Sequence, residues 1–459
     1  MSSIFVNAAI AKEDFFLVKN ETLSTREACL RSLVDYEKAN KYSNIELSEA
    51  VKRYGFDDLE RAFFTKLFYG VIEKKLTLDY FIDNICDKNT KIEPAILNIL
   101  RMGLYQIIYM DKVPESAACD ESVKLAKQVN PKNVKLGGFV NAILRAFIRN
   151  KDEQFKNINE IKDLCKHFEI KYSCSYDIIK TWIEDYGAEI AEGLLCASYE
   201  NNHGLTISVN SLKISREAYF EKLLSHHEGL IAKKTERSPY GITIESDIPV
   251  THIYGYNDGL FFVQDEASQI CAKKTEAKPG DLVIDCCGAP GGKSFYMAQM
   301  MKNKGKIICF DLHKNKLGLV EKSAQRLSIN IIETYEHDSS LKFCDFLADV
   351  VLCDVPCSGL GAISKKPEIK YKTLAEISKM PEIQSKILSC SSEYVKPGGT
   401  LVYSTCTLNK KENEEVTYKF LSEHDDFEIS EIKTFFPFDK IDKIEQKTDG
   451  FFVAKMKRK

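Results

Sequence analysis

Long apolar runs are missing from this sequence. Nowhere does it approach the ~18 to 20 consecutive apolar residues that a bilayer-spanning helix requires, so no membrane segment is expected. The most apolar helix candidate, Ile96 to Met110, is interrupted by Asn98, Arg101 and Gln106 and reads as a core helix. No Cys-x-x-Cys pair occurs, and none of the eight histidines stands at zinc-finger spacing from two cysteines, so no metal site is expected. The opening Met1-Ser-Ser-Ile-Phe-Val-Asn-Ala-Ala lacks the basic segment and longer apolar core of an export signal. A reducing, cytoplasmic location is the expectation, with the fifteen cysteines as free thiols and most of them small core residues. Neither sign of charge dominates, since 64 basic and 67 acidic side chains leave a net −3. Such a balance neither advertises nor excludes nucleic-acid binding, which rests on local stripes. Two candidate stripes are Lys365, Lys366, Lys370 and Lys372, and Lys455, Lys457, Arg458 and Lys459. Solvated surface lysines explain each of them equally well.

A hydrophobic fraction of 44% and a charged fraction of 29% describe a globular chain, and 459 residues suffice for two or three domains. Residues 1–150 read as an all-α bundle. Ile92, Ile96, Ile99 and Ile107 keep one helical face, Asp111-Lys-Val-Pro114-Glu-Ser116 breaks the helix, and Gly137-Gly138 opens another. The polar stretch 150–160 reads as a linker. Residues 161–255 read as a small α+β region, with a helix over Ile178 to Leu195 and strands at Leu205 to Val209 and Ile242 to Glu245. In residues 256–459 strand and helix patterns alternate, as a doubly wound α/β domain requires. Its strands are expected at Leu282 to Asp285, Lys306 to Asp311, Ile331 to Tyr335, Asp349 to Asp354 and Thr400 to Ser404, with a late pair near Phe451 to Lys455.

The first of these strands runs into Cys287-Gly288-Ala289-Pro290-Gly291-Gly292-Lys293-Ser294. A triphosphate P-loop would need glycine where Cys287 stands, and Pro290 removes an N–H where phosphate would want one. The loop suits instead close backbone approach to an uncharged or zwitterionic cofactor. Asp311 closes the next strand, where a carboxylate accepts from both ribose hydroxyls. Asp338 follows the third strand, as an acceptor for an adenine amino group or simply as a turn or helix-cap residue. An adenosine site without phosphate ligands points to S-adenosylmethionine, with NAD as the alternative.

Two cysteines follow strands of the same sheet, Cys357 in Asp354-Val-Pro-Cys357-Ser-Gly and Cys406 in Ser404-Thr-Cys406-Thr. Residues just past strand carboxyl ends line the ligand crevice of an open parallel sheet. Carbon 5 of a pyrimidine becomes nucleophilic once a thiolate adds at C6, and the C5 proton must later leave so that the thiol is expelled. That chemistry uses one nucleophile, one base and an acid near N3. Cys357, Cys406 and Asp354 supply those types. On residue types alone either cysteine serves as nucleophile, and two inert core thiols are the alternative.

These motifs, together with Lys366-Pro-Glu-Ile-Lys-Tyr371, Gln264-Asp-Glu-Ala-Ser268 and Thr448-Asp-Gly-Phe-Phe452, resemble those of the RNA cytosine-5 methyltransferases. Leu104-Tyr-Gln106, Val113-Pro114 and Phe139-Val-Asn141-Ala-Ile-Leu-Arg145 are similar to the NusB-like RNA-binding domain. Both in this order look like the bacterial RsmB (Sun, Fmu) type. The resemblance implies a NusB-like bundle, a small α+β region that docks RNA, and a Rossmann-like class I methyltransferase domain that uses S-adenosylmethionine. It implies methylation of carbon 5 of a 16S rRNA cytosine, conventionally numbered 967, by a monomer acting on rRNA or an assembly intermediate. Cys406 would be the covalent nucleophile, Cys357 would assist proton removal and release, and Asp354 would contact base and cofactor. Residues 287–293 would wrap the cofactor, Asp311 hold its ribose and Asp338 its adenine, with the lysines after Gly361 beside the target nucleotide. Departures from the family pattern are Ser208-Val-Asn210, which lacks a leading arginine, Tyr172-Ser-Cys-Ser-Tyr176, and Gly288 where alanine is usual. Rival readings are a tRNA cytosine methyltransferase and a non-catalytic RNA-binding assembly or antitermination factor.

Overall fold

The computed structural model describes residues 23–459 apart from 40–41, 88–89, 134, 200–203, 247, 344, 439, 442–443 and 446–447. Residues 1–22 of the expected bundle lie outside the described residues. The chain divides into two compact units, Met1–Ser173 and Cys174–Lys459. No helix among the described residues is long and apolar enough to cross a membrane.

The first unit is helical: α1 (Thr25–Ala39), α2 (Ser43–Tyr54), α3 (Asp58–Glu73), α4 (Lys75–Ile85), α5 (Pro94–Tyr109), α6 (Glu115–Val129), α7 (Lys135–Arg149), α8 (Lys151–Asn159) and α9 (Leu164–Tyr172). Helix α3 starts from a reciprocal cap, in which Asp57 accepts from the Glu60 N–H at 2.8 Å and Glu60 accepts from the Asp57 N–H at 3.2 Å. Helix α5 opens on Pro94, which has no N–H to leave unpaired in the first turn. Its Ile96, Ile99, Leu100, Leu104 and Ile107 are buried, and so are the three polar residues that interrupt its apolar face. Those polar residues are satisfied internally. The Arg101 guanidinium donates twice to Asp79, at 2.6 and 2.8 Å, and to Glu37 at 2.8 Å, and Asn98 donates to Glu37 at 2.9 Å. Gln106 accepts from Arg26 at 2.7 Å and donates to the Met102 carbonyl at 2.9 Å.

The expected linker at 150–160 is corrected by the structure, because Lys151–Asn159 forms α8. Within this polar stretch Phe155 packs on Phe81, with ring centroids 5.2 Å apart, and Ile158 is buried. Two apolar residues at i and i+3 are enough to seat a short helix on an existing core. The adjoining α9 belongs to the same unit, where the Ile170 carbonyl accepts from Thr77 at 2.5 Å.

The second unit opens with α10 (Tyr176–Tyr186) and α11 (Ala188–Tyr199) in place of the single helix expected there. Gly187, at φ +86°, breaks it. A four-stranded antiparallel sheet follows, built from β1 (Leu205–Val209), β2 (Ile231–Lys234), β3 (Gly241–Glu245) and β4 (Phe261–Val263), in the order β2-β3-β1-β4. Helix α12 (Arg216–His226) lies between β1 and β2 in the chain and packs Tyr219 and Leu223 on Ile207, Val209, Ile242 and Phe261. The sequence reading had β1 and β3 but not the other two. β2 is an exposed, lysine-bearing edge strand and β4 has three residues, so neither shows a long alternation. Asn210 just after β1 donates to the carbonyls of Gly259 at 2.9 Å and Leu327 at 2.8 Å, tying this sheet to the end of the helix that closes at Leu327. Ser208, where the family pattern carries arginine, is fully buried.

The large sheet contains β5 (Leu282–Asp285), β6 (Lys306–Asp311), β7 (Ile332–Glu336), β8 (Ala348–Asp354), β9 (Val395–Thr405) and β10 (Phe427–Phe435). Two-residue strands β11 (Lys440–Ile441) and β12 (Ile444–Glu445) precede β13 (Phe451–Arg458). The order is β10-β13-β9-β8-β5-β6-β7, parallel from β9 to β7, with β13 and β10 antiparallel at one end. Chain direction switches sides at β5, whose neighbours are β6 and β8, which opens a crevice at the strand carboxyl ends. Helices α13 (Glu266–Lys274), α14 (Gly292–Met300), α15 (Lys314–Leu327), α16 (Leu374–Ile377), α17 (Met380–Ser392) and α18 (Glu414–Glu423) complete the unit. Residues of α13, α14 and α15 share one apolar cluster, and those of α17 and α18 share another. The central strands are buried runs without alternation, as a sheet covered on both faces requires. The basic C-terminal cluster lies largely on β13, where Lys455 pairs with Glu276 at 2.7 Å and Arg458 with Asp426 at 2.9 Å.

Replacing Arg101 by Met leaves Asp79 and Glu37 facing an uncharged neighbour. The helical unit is expected to lose about 3 kcal/mol, read as an earlier urea transition for that unit. An unchanged transition would show that the network contributes nothing net.

Candidate active site

Strand pairing positions the site. β8 and β9 are parallel neighbours in the register Asp354↔Ser404, so residues three and two positions further on emerge side by side at the carboxyl edge. The Val355 N–H donates to the Ser404 carbonyl at 3.1 Å, and the Gly361 N–H donates to the Cys406 carbonyl at 3.0 Å. Cys357 and Cys406 thereby meet, with sulfur atoms 3.2 Å apart. Asp354, at the end of β8, receives Lys293 Nζ on Oδ2 at 2.6 Å and the Ser404 hydroxyl on Oδ1 at 2.8 Å. Lys293 also lies over the Phe451 ring at 5.1 Å.

The charges around the two sulfurs are unequal. The hydrogen bond with Cys357 draws the Cys406 thiol below its ordinary value, against burial and the Asp354 charge, while Lys293 adds a pull in the same direction. That same bond, together with burial, raises Cys357. Burial alone would discharge Lys293, but the Asp354 carboxylate outweighs it and keeps the ammonium above its usual value. The surroundings therefore favour negative charge on Cys406 over Cys357.

The glycine loop lies on the other side of Asp354. The Gly288 N–H donates to the Phe310 carbonyl at 2.8 Å, and the Gly291 N–H turns back to the Gly288 carbonyl at 2.7 Å before α14 begins. Gly291 has φ +106°, which side chains rarely adopt. A Cβ on Gly288 would stand 2.4 Å from Cys309 Sγ and 2.8 Å from Asp285 Cγ. Glycine at this family position is therefore matched to Cys309, and alanine would need a smaller neighbour. Asp285 beneath the loop is fully buried and accepts from Ser294 at 2.6 Å on Oδ2, while Oδ1 has no hydrogen-bond partner among the described residues. Burial pushes its carboxyl up to about 7. A buried acid with an unsatisfied oxygen, under a loop whose Gly288 and Gly291 have no room for a Cβ, fits a ligand bringing a positive charge or a hydrogen-bond donor.

Asp311 is buried at the end of β6, and its Oδ1 accepts from the His313 N–H at 2.9 Å. Asp338 is placed differently. It is exposed in a turn after β7, where Oδ1 accepts from the Ser340 N–H at 3.0 Å and hydroxyl at 2.7 Å, bonds that lower its carboxyl pKa. The turn role is therefore filled. Two apolar side chains went unnoticed in the sequence, Leu312 and Leu341, which are 58% and 61% exposed beside these acids. An exposed leucine one residue past a strand-closing acid is a usable signal for a planar ligand at such an edge.

The lysines after Gly361 are mostly taken up inside the protein. Lys365 bridges Asp265 at 2.6 Å and Asp449 at 2.8 Å, and Lys372 donates to the Ser358 carbonyl at 2.8 Å. Lys370 is buried, its ammonium 3.9 Å from the centre of the Tyr199 ring. Their carbonyls are engaged too: Ser175, in the segment that departs from the family pattern, donates its N–H to the Lys370 carbonyl at 2.8 Å. Lys366 is exposed.

A seven-stranded sheet of this order, with acids, a glycine loop and a dithiol along one edge, defines a methyltransferase of the doubly wound class. Residues 273–457 match the family described as 16S rRNA methyltransferase RsmB/F, residues 178–251 its ferredoxin-like domain, and residues 23–149 the NusB family. The chain is 33% identical over 452 residues to the probable ribosomal RNA small subunit methyltransferase B of Bacillus subtilis strain 168, covering 95% of this chain and 99% of that one. Among solved structures, that of PH0851 superposes with a TM-score of 0.76 at 25% identity, covering 96% of this chain and 100% of the other. NSun6 from Pyrococcus horikoshii with SFG shares the fold at a TM-score of 0.54 and 23% identity, over 61% of this chain and 97% of that one. The chain belongs to the RsmB family of 16S rRNA methyltransferases, S-adenosylmethionine-dependent enzymes.

Because Cys406 is held below the ordinary thiol value, its alkylation by iodoacetamide should have a pH midpoint below ~8.5 and should precede that of Cys357. Peptide mapping of the labelled protein across pH checks this. A Cys406 midpoint at or above that value would contradict the charge arrangement described here.

Proposed function

We propose that this chain transfers a methyl group from S-adenosylmethionine to carbon 5 of a 16S rRNA cytosine through a covalent bond between Cys406 and C6. The observation that carries the reading is the dithiol, with sulfurs 3.2 Å apart beside the Asp354–Lys293 pair. When bound, the cofactor supplies an electrophilic methyl sulfonium. Everything else is the work of side chains.

The Cys406 thiolate adds to C6, which makes C5 enamine-like. Negative charge that develops on the ring toward N3 falls beside the Asp354–Lys293 pair, whose ammonium offsets it. After transfer, C5 carries both a methyl group and a proton. Removal of that proton restores the C5=C6 bond and expels Cys406 as thiolate. Cys357 suits this step as a thiolate that has passed its own proton to solvent: once Cys406 is bonded to carbon it is no longer an anion, and the main cause holding the proton on Cys357 is gone. The same reading gives residues 287–293 and Asp285 the methionine end of the cofactor and Asp311 the ribose, with Asp338 at the adenine. The target base must leave its stack to admit a thiol to one face and a methyl donor to the other. The helical domain and the α+β region would dock the RNA, either rRNA or an assembly intermediate, in the cytoplasm with the protein as a monomer. The family likeness further implies the cytosine conventionally numbered 967.

The test is incubation with radiolabelled S-adenosylmethionine and unmodified 16S rRNA, with tRNA in parallel, followed by bisulfite sequencing. One methylated rRNA cytosine is expected. Label in tRNA alone would overturn the substrate, and transfer to neither RNA would favour a non-catalytic binding factor. Cys406→Ala should abolish both turnover and adduct, whereas Cys357→Ala should accumulate a covalent protein–RNA species in denaturing gels. The reverse pattern would exchange the two roles. Asp311→Ala should weaken cofactor binding in calorimetry by about 1.5 to 3 kcal/mol, the range for a hydrogen bond to a charged group. An unchanged affinity would move the ribose elsewhere.

A further inference from the structure

Neither thiol is positioned by its own loop alone. Glu412, fully buried ahead of α18, lies between the two loops and holds both. Its Oε2 accepts from the Ser358 N–H at 2.9 Å and from Gln384 Nε2 at 2.9 Å. Its Oε1 accepts from Asn409 Nδ2 at 2.9 Å and from the Ser358 hydroxyl. Ser358 is the residue after Cys357, and Gln384 also donates to the carbonyl of Pro356, the residue before it. The Glu412 backbone carbonyl accepts from the Tyr403 hydroxyl at 2.5 Å, and neighbouring Asn413 donates to the Thr407 carbonyl at 2.9 Å. Thr407, the residue after Cys406, meets the Ser358 hydroxyl at 2.6 Å. Among the described residues, Ser358, Gln384 and Asn409 supply four hydrogen bonds to this fully buried carboxylate, which holds loops together.

We propose that Glu412 is a positioning residue, which fixes the Cys357 and Cys406 loops against each other and sets its negative charge beside Ser358, next to Cys357. The proposal rests on the reading of Cys406 as nucleophile. The groups that face the dithiol are Asp354, Lys293, Asp449, Tyr403 and Glu412. Among them, Lys293 favours charge on Cys406, and Glu412 disfavours charge on Cys357. The two act from opposite sides, so removing either one makes the sulfurs more alike. Proton location then decides chemistry, since only the deprotonated sulfur attacks C6 and only the protonated one stabilises it.

The test is Glu412→Gln, which keeps the shape and removes the charge, read first without RNA. In a variant with wild-type circular dichroism, the Cys406:Cys357 alkylation ratio at neutral pH should fall by about tenfold, the equivalent of one pKa unit. With rRNA, kcat should drop by at least about tenfold while KM stays within about twofold, as for a group acting only on the chemical step. An unchanged alkylation ratio in folded Glu412→Gln overturns the proposal. Should that variant not fold, Ser358→Ala removes one donor and leaves the charge. It should then lower kcat while retaining the labelling preference, and wild-type kcat would overturn the positioning role. Alkylation needs no RNA, so an error in the substrate reading would appear separately, as a wild-type protein that labels normally and methylates nothing.

Discussion

The parallel pairing of β8 with β9 is the constraint on which the site depends. The register Asp354↔Ser404 fixes how far each chain has travelled when it leaves the sheet. Cys357 comes three residues after its paired position and Cys406 two, which brings the sulfurs to 3.2 Å. A shift of one residue would send every side chain of β9 to the opposite face of the sheet. Several features protect that register. Both strands are buried runs, and β13 covers the far side of β9 from Thr400 to Thr405. The irregularity between Ala348 and Val350 is taken up at the opposite end of the pair, well away from the thiols.

The second constraint is electrostatic and follows from the first. Two half-buried thiols in contact share protons, and the surroundings decide which sulfur is charged. Lys293 comes from the start of α14, directly after the glycine loop, and meets Asp354 at the end of β8. The ion pair therefore bridges the loop side and the thiol side of the crevice. Lys293 stays charged although buried because Asp354 lies 2.6 Å away. One lysine thereby serves a glycine loop and a dithiol that lie far apart in the sequence.

The fold was legible where residues make runs. The five parallel strands of the large sheet end in acids or hydroxyls, four of them as apolar segments, and they fall within a few residues of their expected places. β9 begins earlier than expected because Pro397-Gly398-Gly399 reads as a turn, whereas the chain continues as strand through it, with Gly398 at φ +76°. The late pair expected near Phe451 to Lys455 is a single strand there, β13, whose partner β10 lies at Phe427–Phe435 and went unread because its residues are largely exposed and charged. Helix α8 was hidden by composition, since two apolar residues carried its packing. In the site, cysteines beside prolines and glycines stood out as loop residues, and the structure brings them together. Tertiary electrostatics left weaker marks. Lys365 and Lys370 look like surface charge in the sequence, yet one bridges two acids and the other lies against an aromatic ring.

The internal use of those lysines changes how substrate recognition by this face should be understood. A lysine pinned by Asp265 and Asp449 presents little net charge to a phosphate, and Asp449 is pushed up to about 7 by burial and by Asp265, against the pull of Lys365. The trio joins three loops, those of Gln264-Asp265, Gly361–Lys365 and Thr448–Gly450, around the dithiol. The Gly450 N–H donates to the Gly361 carbonyl at 2.8 Å in that crossing, where a Cβ on Gly361 would stand 1.9 Å from the Gly450 carbonyl oxygen. The rim is therefore built for rigidity. With its own charges spent on holding loops, such a rim can orient a single unstacked base but adds little nonspecific attraction for a phosphate backbone. Affinity for a long RNA must then come from surfaces away from the thiols, which is a physical reason for a small catalytic crevice to be carried in a chain with additional domains.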